Sequence, residues 1–137
     1  MSIIVDASVA AAVVLPDEEL PDADLLEKRI EVDGAIAPAI WQIEVANTLI
    51  VAVKRKRIDA GEVAAFLGVL DGWMTILQPA ISSVERNRVV ALAFKHGLTA
   101  YDATYLELAV RTSFPLATLD ADLKAAAQKE NLSLVLG

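Results

Sequence analysis

Ser2-Ile3-Ile4-Val5-Asp6-Ala7-Ser8 is an apolar run that stops abruptly at a carboxylate. Its isoleucines and valine are β-branched, and a short apolar run without polar alternation reads as a strand covered on both faces. The strand expected is 2–5. Ser8 suits the cap of a short helix that continues to Leu15 and is stopped by Pro16.

The same alternation of short apolar run and helix repeats along the chain. Pro21 fits the first turn of a helix over 22–30 whose opening turn is acidic. Gly34-Ala35-Ile36-Ala37 is a second strand, and Pro38 starts a long helix to about Arg57. Asp59-Ala60-Gly61-Glu62 has the spacing of a capping box and opens a helix to about Asp71. A strand is expected over 74–77, helices from Ser82 to His96 and from Thr99 to Thr112, a strand over 116–119, a helix over 122–130 and a last strand over 132–136. Strands separated by helices pair in parallel through right-handed crossovers. The fold expected is therefore α/β: a three-layer α/β/α sandwich with a central, mostly parallel sheet. With no repeat or linker, 1–137 is expected to be a single domain.

The chain has no cysteine, which removes thiolate metal sites and disulfides and suits a reducing cytoplasm. Its start lacks a charged region followed by a long apolar one, so no signal peptide is expected. The stretch from Gly34 to Val53 is long enough to span a bilayer, but Pro38, Gln42, Glu44 and Asn47 inside it favour a buried helix of a soluble domain. A formal net charge of −7 argues against a non-specific nucleic-acid binder. The hydrophobic share, 55%, is high for a small domain and points to surface covered by a second subunit or another protein.

Four acids sit where the apolar pattern pulls them inward: Asp6 and Asp120 at the ends of strands, Glu44 in the long helix, and Asp102 at a helix start. In parallel sheets sites form at the carboxyl ends of strands, so all four can meet on one edge. Gathered carboxylates call for a divalent cation bound through oxygen. Each also has a plainer reading. Asp6 suits a turn or cap, Asp102 a capping box with Thr99, and Asp120 the cap of the last helix. Glu44 is harder to place so, because Val45, Leu49 and Ala52 on one side and Ile43, Ala46 and Ile50 on the other leave it little polar surface.

In order, Val5-Asp6-Ala7-Ser8, Pro38 followed by Glu44-Val45-Ala46-Asn47, Thr99-Ala100-Tyr101-Asp102-Ala103, and Ala117-Thr118-Leu119-Asp120-Ala121-Asp122-Leu123 resemble the motifs of PIN-domain ribonucleases, and among them the VapC toxins of toxin–antitoxin pairs. The resemblance runs over essentially the whole chain. It implies that Asp6, Glu44, Asp102 and Asp120 bind Mg²⁺ or Mn²⁺ and carry catalysis, with Ser8 and Thr118 as neighbouring hydroxyl helpers. Asp122 could help as well, although a bare negative charge at a helix N-terminus explains it more simply. The activity implied is endonucleolytic hydrolysis of RNA, leaving a 5′-phosphate and a 3′-hydroxyl. One ion or two is left open. A VapB-like antitoxin and a homodimer are the partners implied. The rival reading is a PIN-like module that binds RNA or protein without turnover.

Other features carry less. His96 precedes Gly97 and reads as a helix-end residue. Gly68 and Gly72 lack the lysine of a phosphate-binding loop. Lys54-Arg55-Lys56-Arg57 reads as a solvated helix end, with an RNA-backbone contact as the alternative. Trp41 and Trp73 read as core or interface. A phosphatase of the haloacid-dehalogenase kind would need an aspartate where Ser8 stands.

Overall fold

Ile3, Ile4 and Val5 form the central strand β1 (Ile3–Val5), with no solvent exposure. The computed structural model, which describes residues 1–136, pairs β1 in parallel with β2 (Ala35–Ala37) on one side and β4 (Leu116–Ala117) on the other. Strand β3 (Ile76–Leu77) lies beyond β2, giving the order β3-β2-β1-β4. Ile4 is paired with Ile36 and with Leu116, so apolar residues fill the middle of the sheet.

Among the described residues, seven α-helices connect and flank these strands: α1 (Ala7–Val14), α2 (Ala23–Asp33), α3 (Trp41–Lys54), α4 (Val63–Asp71), α5 (Ser83–His96), α6 (Ala100–Thr112) and α7 (Ala121–Lys129). Helix α1 packs on α3 and α4, whereas α5 packs on α6 and α6 on α7. Right-handed crossovers place the connections from β1 to β3 on one face and α5 and α6, which return across the sheet to β4, on the other. The result is the expected α/β/α sandwich. Its core joins Ile3, Ile4, Leu26, Leu49, Leu106 and Leu116, all essentially buried. Each such side chain contributes about 1.5–3 kcal/mol relative to exposure.

The element boundaries differ from the expectations for local reasons. The cap of α1 is Asp6, not Ser8: the Asp6 side chain accepts from the Val9 N–H. Pro21 lies in the turn ahead of α2, and Asp22 follows with a left-handed φ of 64°. The long helix starts at Trp41 and ends before Lys56, whose φ of 61° breaks it. The capping box at Asp59 and Glu62 is present, but it opens a 3₁₀ turn, Ala60–Glu62, before α4 begins. Met74, at φ 51°, cannot join β3. Thr118 and Leu119 leave the ladder after β4. The segment 132–136 makes no strand. It contributes one bridge, Leu134 to Leu116, because so short a strand as β4 offers nothing further to pair with.

No helix among the described residues is long and apolar enough to cross a membrane. The apolar excess leaves Ile43, Met74 and Phe94 more than 70% exposed, at 74%, 83% and 85%. Strand order places β1 and β4 side by side while their outgoing connections diverge. A crevice opens at the carboxyl ends of strands so arranged.

Candidate active site

Asp6 lies at the mouth of that crevice and is almost wholly buried, at 4% exposure. Both of its oxygens are engaged. Oδ1 accepts from the Val9 N–H at 3.1 Å and from Ser8 Oγ, and Oδ2 accepts from Thr118 Oγ1. The Asp6 N–H in turn donates to the Ala117 carbonyl at 3.1 Å. Across the crevice, Thr118 Oγ1 accepts from the Asp120 N–H and Ser8 Oγ from the Leu119 N–H, each at 3.1 Å. Asp120 caps α7 by accepting from the Leu123 N–H at 2.8 Å. These bonds tie the end of β1 to the end of β4 and explain why Thr118 leaves the sheet.

Glu44 lies in the first turn of α3, and Asp102 in the first turn of α6. Thr99 caps α6, its Oγ1 accepting from the Asp102 N–H at 3.2 Å. One helical turn after Asp102, Tyr105 projects from the same face. Its hydroxyl donates to Glu44 Oε1 at 2.6 Å. That bond joins the two helices across the cleft.

Asp6, Glu44, Asp102 and Asp120 all line one cleft of about 480 Å³. Its electrostatics are those of crowded anions. Burial raises the Asp6 carboxyl above the usual range, opposed by the hydrogen bonds from Ser8, Thr118 and Val9. Burial likewise raises Glu44, with the Tyr105 hydrogen bond opposing and the Asp6 charge adding to the rise. Asp102 is pushed up to about 6, first by burial and then by the charges of Asp120, Asp6 and Glu44. The Tyr105 hydroxyl is raised by burial and by its bond to Glu44.

Among the described residues, no three or more Asp, Glu or His side chains are gathered tightly enough to hold a metal ion by themselves. The donor set nevertheless suits a hard cation. It consists of carboxylate oxygens that repel one another, set around an open cleft. Mg²⁺ suits such a place because it keeps several waters and binds through one or two carboxylates. A larger hollow, about 680 Å³, is lined by Asp24, Glu27, Trp73 and Met74 among others and holds none of these four acids.

The four acids expected from the sequence thus share one cleft, and Ser8 and Thr118 hold the first of them. Asp122 is exposed in the first turn of α7 and does not line the cleft. His96 points elsewhere, its Nε2 lying 3.1 Å from Glu130 Oε1. Trp41 is buried in the core and Trp73 packs partly against it. The sequence reading missed Tyr105, Asn47 and the cleft-facing position of Arg57. For the first two, helical spacing was an available signal: each follows a cleft acid by three residues.

Residues 3–129 match the sequence profile of the PIN domain family. Ribonuclease VapC3 of Pyrobaculum aerophilum is 32% identical to this chain over 123 residues, which span 90% of this chain and 92% of that protein. The crystal structure of PAE2754 from Pyrobaculum aerophilum superposes with a TM-score of 0.71 at 22% sequence identity, covering 92% of this chain and 84% of that one. At that identity the likeness speaks for the fold.

Proposed function

The chain belongs to the PIN-domain family, and from that premise we propose that it is a VapC-type endoribonuclease, a hydrolase that cuts RNA phosphodiester bonds. The observation that carries this reading is the convergence of Asp6, Glu44, Asp102 and Asp120 on one cleft. We assign these four to holding Mg²⁺ or Mn²⁺. When bound, the ion supplies Lewis-acid polarisation of the phosphate and acidifies water.

The chain's own residues set the stage for that chemistry. The Ser8 and Thr118 hydroxyls and the Val9 N–H fix Asp6 in one orientation. Tyr105 fixes Glu44 through Oε1 and makes no bond to Oε2. Asp102 and Asp120 stand at the starts of two helices, whose N-terminal dipoles favour negative charge there. On this reading the chain is one PIN domain working in the cytoplasm. A VapB-like antitoxin restrains it and a second copy completes a homodimer. The exposed Ile43, Ile50, Met74 and Phe94 support such covered surfaces.

The test is cleavage of total RNA by partner-free protein in Mg²⁺, in Mn²⁺ and in EDTA. Cleavage with either ion and none in EDTA is expected. Intact RNA from well-folded protein under all three conditions would favour the rival reading, a PIN-like binding module without turnover.

Tyr105→Phe tests the internal arrangement. The ring still fills its buried place, while the donor to Glu44 is lost. Hydrogen bonds to a charged group contribute about 1.5–3 kcal/mol, so cleavage should slow by about tenfold or more. Initial rates and Tm measured together check this. Unchanged rates from the folded variant would show that Glu44 needs no such support.

A further inference from the structure

Arg57 is a charged group in the cleft that the proposed chemistry leaves unused. It follows α3, where the left-handed Lys56 turns the chain and the Arg57 N–H donates to the Ala52 carbonyl at 2.9 Å. Its guanidinium reaches back to the segment between α1 and α2. Nε donates to Asp17 Oδ2 at 2.7 Å and Nη2 to Asp17 Oδ1 at 2.8 Å, a two-point pairing, and Nη2 also donates to Glu18 Oε1 at 3.1 Å. The same side chain lines the acidic cleft, and no other Lys or Arg among the described residues does.

A guanidinium carries five N–H donors in a rigid fork. The two carboxylates take those of Nε and Nη2. Those of Nη1 make no hydrogen bond among the described residues. Asp17 and Glu18, both partly exposed, offset the charge of Arg57 only in part, so it offers both charge and direction. It offers a fixed edge of donors, already ordered, at the rim of a cleft otherwise lined by acids and neutral groups. An RNA strand entering this cleft brings more phosphates than the one being cut. A cation held by the four acids would serve the reacting phosphate, while neighbouring phosphates would still face negative charge. An N–H donor of a side chain already held in place can meet a non-bridging phosphate oxygen with little loss of entropy.

We propose that Arg57 binds, through Nη1, a phosphate neighbouring the one that is cut, and that Asp17 and Glu18 are positioning residues that aim it. The inference rests on the RNA-cleaving reading above. It assigns Arg57 to holding the substrate rather than to bond breaking or to the choice of bond.

The experiment is the rate of total-RNA cleavage in Mg²⁺, measured against RNA concentration and against salt, for wild type, Arg57→Gln and Arg57→Lys. Arg57→Gln should raise KM about tenfold, from the loss of a charge-assisted contact, with kcat falling less than threefold. It should also lower the slope of log(1/KM) against log salt by about 0.7, the share of one phosphate contact on a single strand. Arg57→Lys, which keeps the charge but not the fork, should retain the salt slope while raising KM. It also carries the test if Arg57→Gln does not fold. The bonds cut should be the same for all three proteins.

An unchanged KM and salt slope overturns the proposal. So does a fall in kcat and Tm at constant KM, which marks a purely structural clasp, and so does a changed set of cut bonds, which marks base recognition. If wild-type protein leaves RNA intact, the ribonuclease reading fails and this inference with it. If wild type cuts and the variants match it, this inference alone fails.

Discussion

An Asp102→Asn protein is expected to cut RNA about 10²–10³-fold more slowly than wild type, the usual cost of losing one preorganised charge in a reaction site, and yet to melt at a higher temperature in EDTA. Both results have one cause. Without a cation, Asp102 is raised by burial and by the charges of Asp120, Asp6 and Glu44. Its carboxyl lies at about 6 in the folded protein, against about 3.9 in an unfolded chain. Between those values the folded state holds more protons than the unfolded one, so stability falls as pH rises through the window, and the cost is complete above it. Asparagine avoids that cost and also gives up the charge that an ion requires. The Tm advantage of the variant should therefore be wide near pH 7, shrink through the window, and be nearly gone only near pH 3, below the unfolded value. Saturating Mg²⁺ at neutral pH should raise the wild-type Tm more than that of the variant, because only binding to the folded state stabilises it. A variant that melts no higher than wild type in EDTA would contradict the account of crowding, and a variant with full activity would remove Asp102 from the site.

The other large effect is on stability. Glu107, on α6, is 2% exposed, and its carboxylate is met by Arg111 one turn later, through Nε at 3.0 Å and Nη2 at 3.2 Å. Arg111 also reaches Glu85 of α5 at 3.3 Å, so it helps to hold the helix that carries Asp102 and Tyr105. Removing one partner of a buried pair leaves an uncompensated charge. Since Arg111 keeps 33% side-chain exposure, the lower end of the usual range applies, about 3 kcal/mol. Arg111→Met should therefore lower the denaturant midpoint markedly. The double variant Glu107→Met with Arg111→Met should recover most of the loss, because well-packed apolar side chains replace such pairs at little cost. Chemical denaturation of the three proteins at neutral pH decides the matter. A single variant within about 1 kcal/mol of wild type would show that water or another group already serves Glu107.

The order of strands and helices was legible because its signals are local. Ser82 and Thr99 cap α5 and α6 from the positions their sequence context suggests, and the Asp59–Glu62 box forms as its spacing requires. Strand ends were not legible, because they are set from a distance. Met74 takes a left-handed turn, and Thr118 abandons the ladder for a carboxylate 112 positions earlier. The four acids could be picked out because a carboxylate inside an apolar run is costly wherever it occurs. Tyr105 could not. A tyrosine on a buried helix face reads as core, and the group that gives its hydroxyl a purpose is 61 residues away. Arg57 was hidden among like charges. Which of the four basic residues turns toward the cleft depends on the backbone at Lys56, and side-chain chemistry alone does not reveal that.

Asp6 and Asp120 are helix caps as well as cleft acids, whereas the carboxylates of Glu44 and Asp102 cap nothing. The two pairs therefore have unequal diagnostic value when other chains of this shape are read. A descendant that had given up cutting RNA would still be under pressure to keep an aspartate at the first and last of these positions, since α1 and α7 start there. It would lose Asp102 at no structural cost, and Glu44 once Tyr105 no longer carried its hydroxyl. Finding only the outer pair in a related sequence marks inheritance of the scaffold. Finding the inner pair marks a chain still selected for what happens in the cleft.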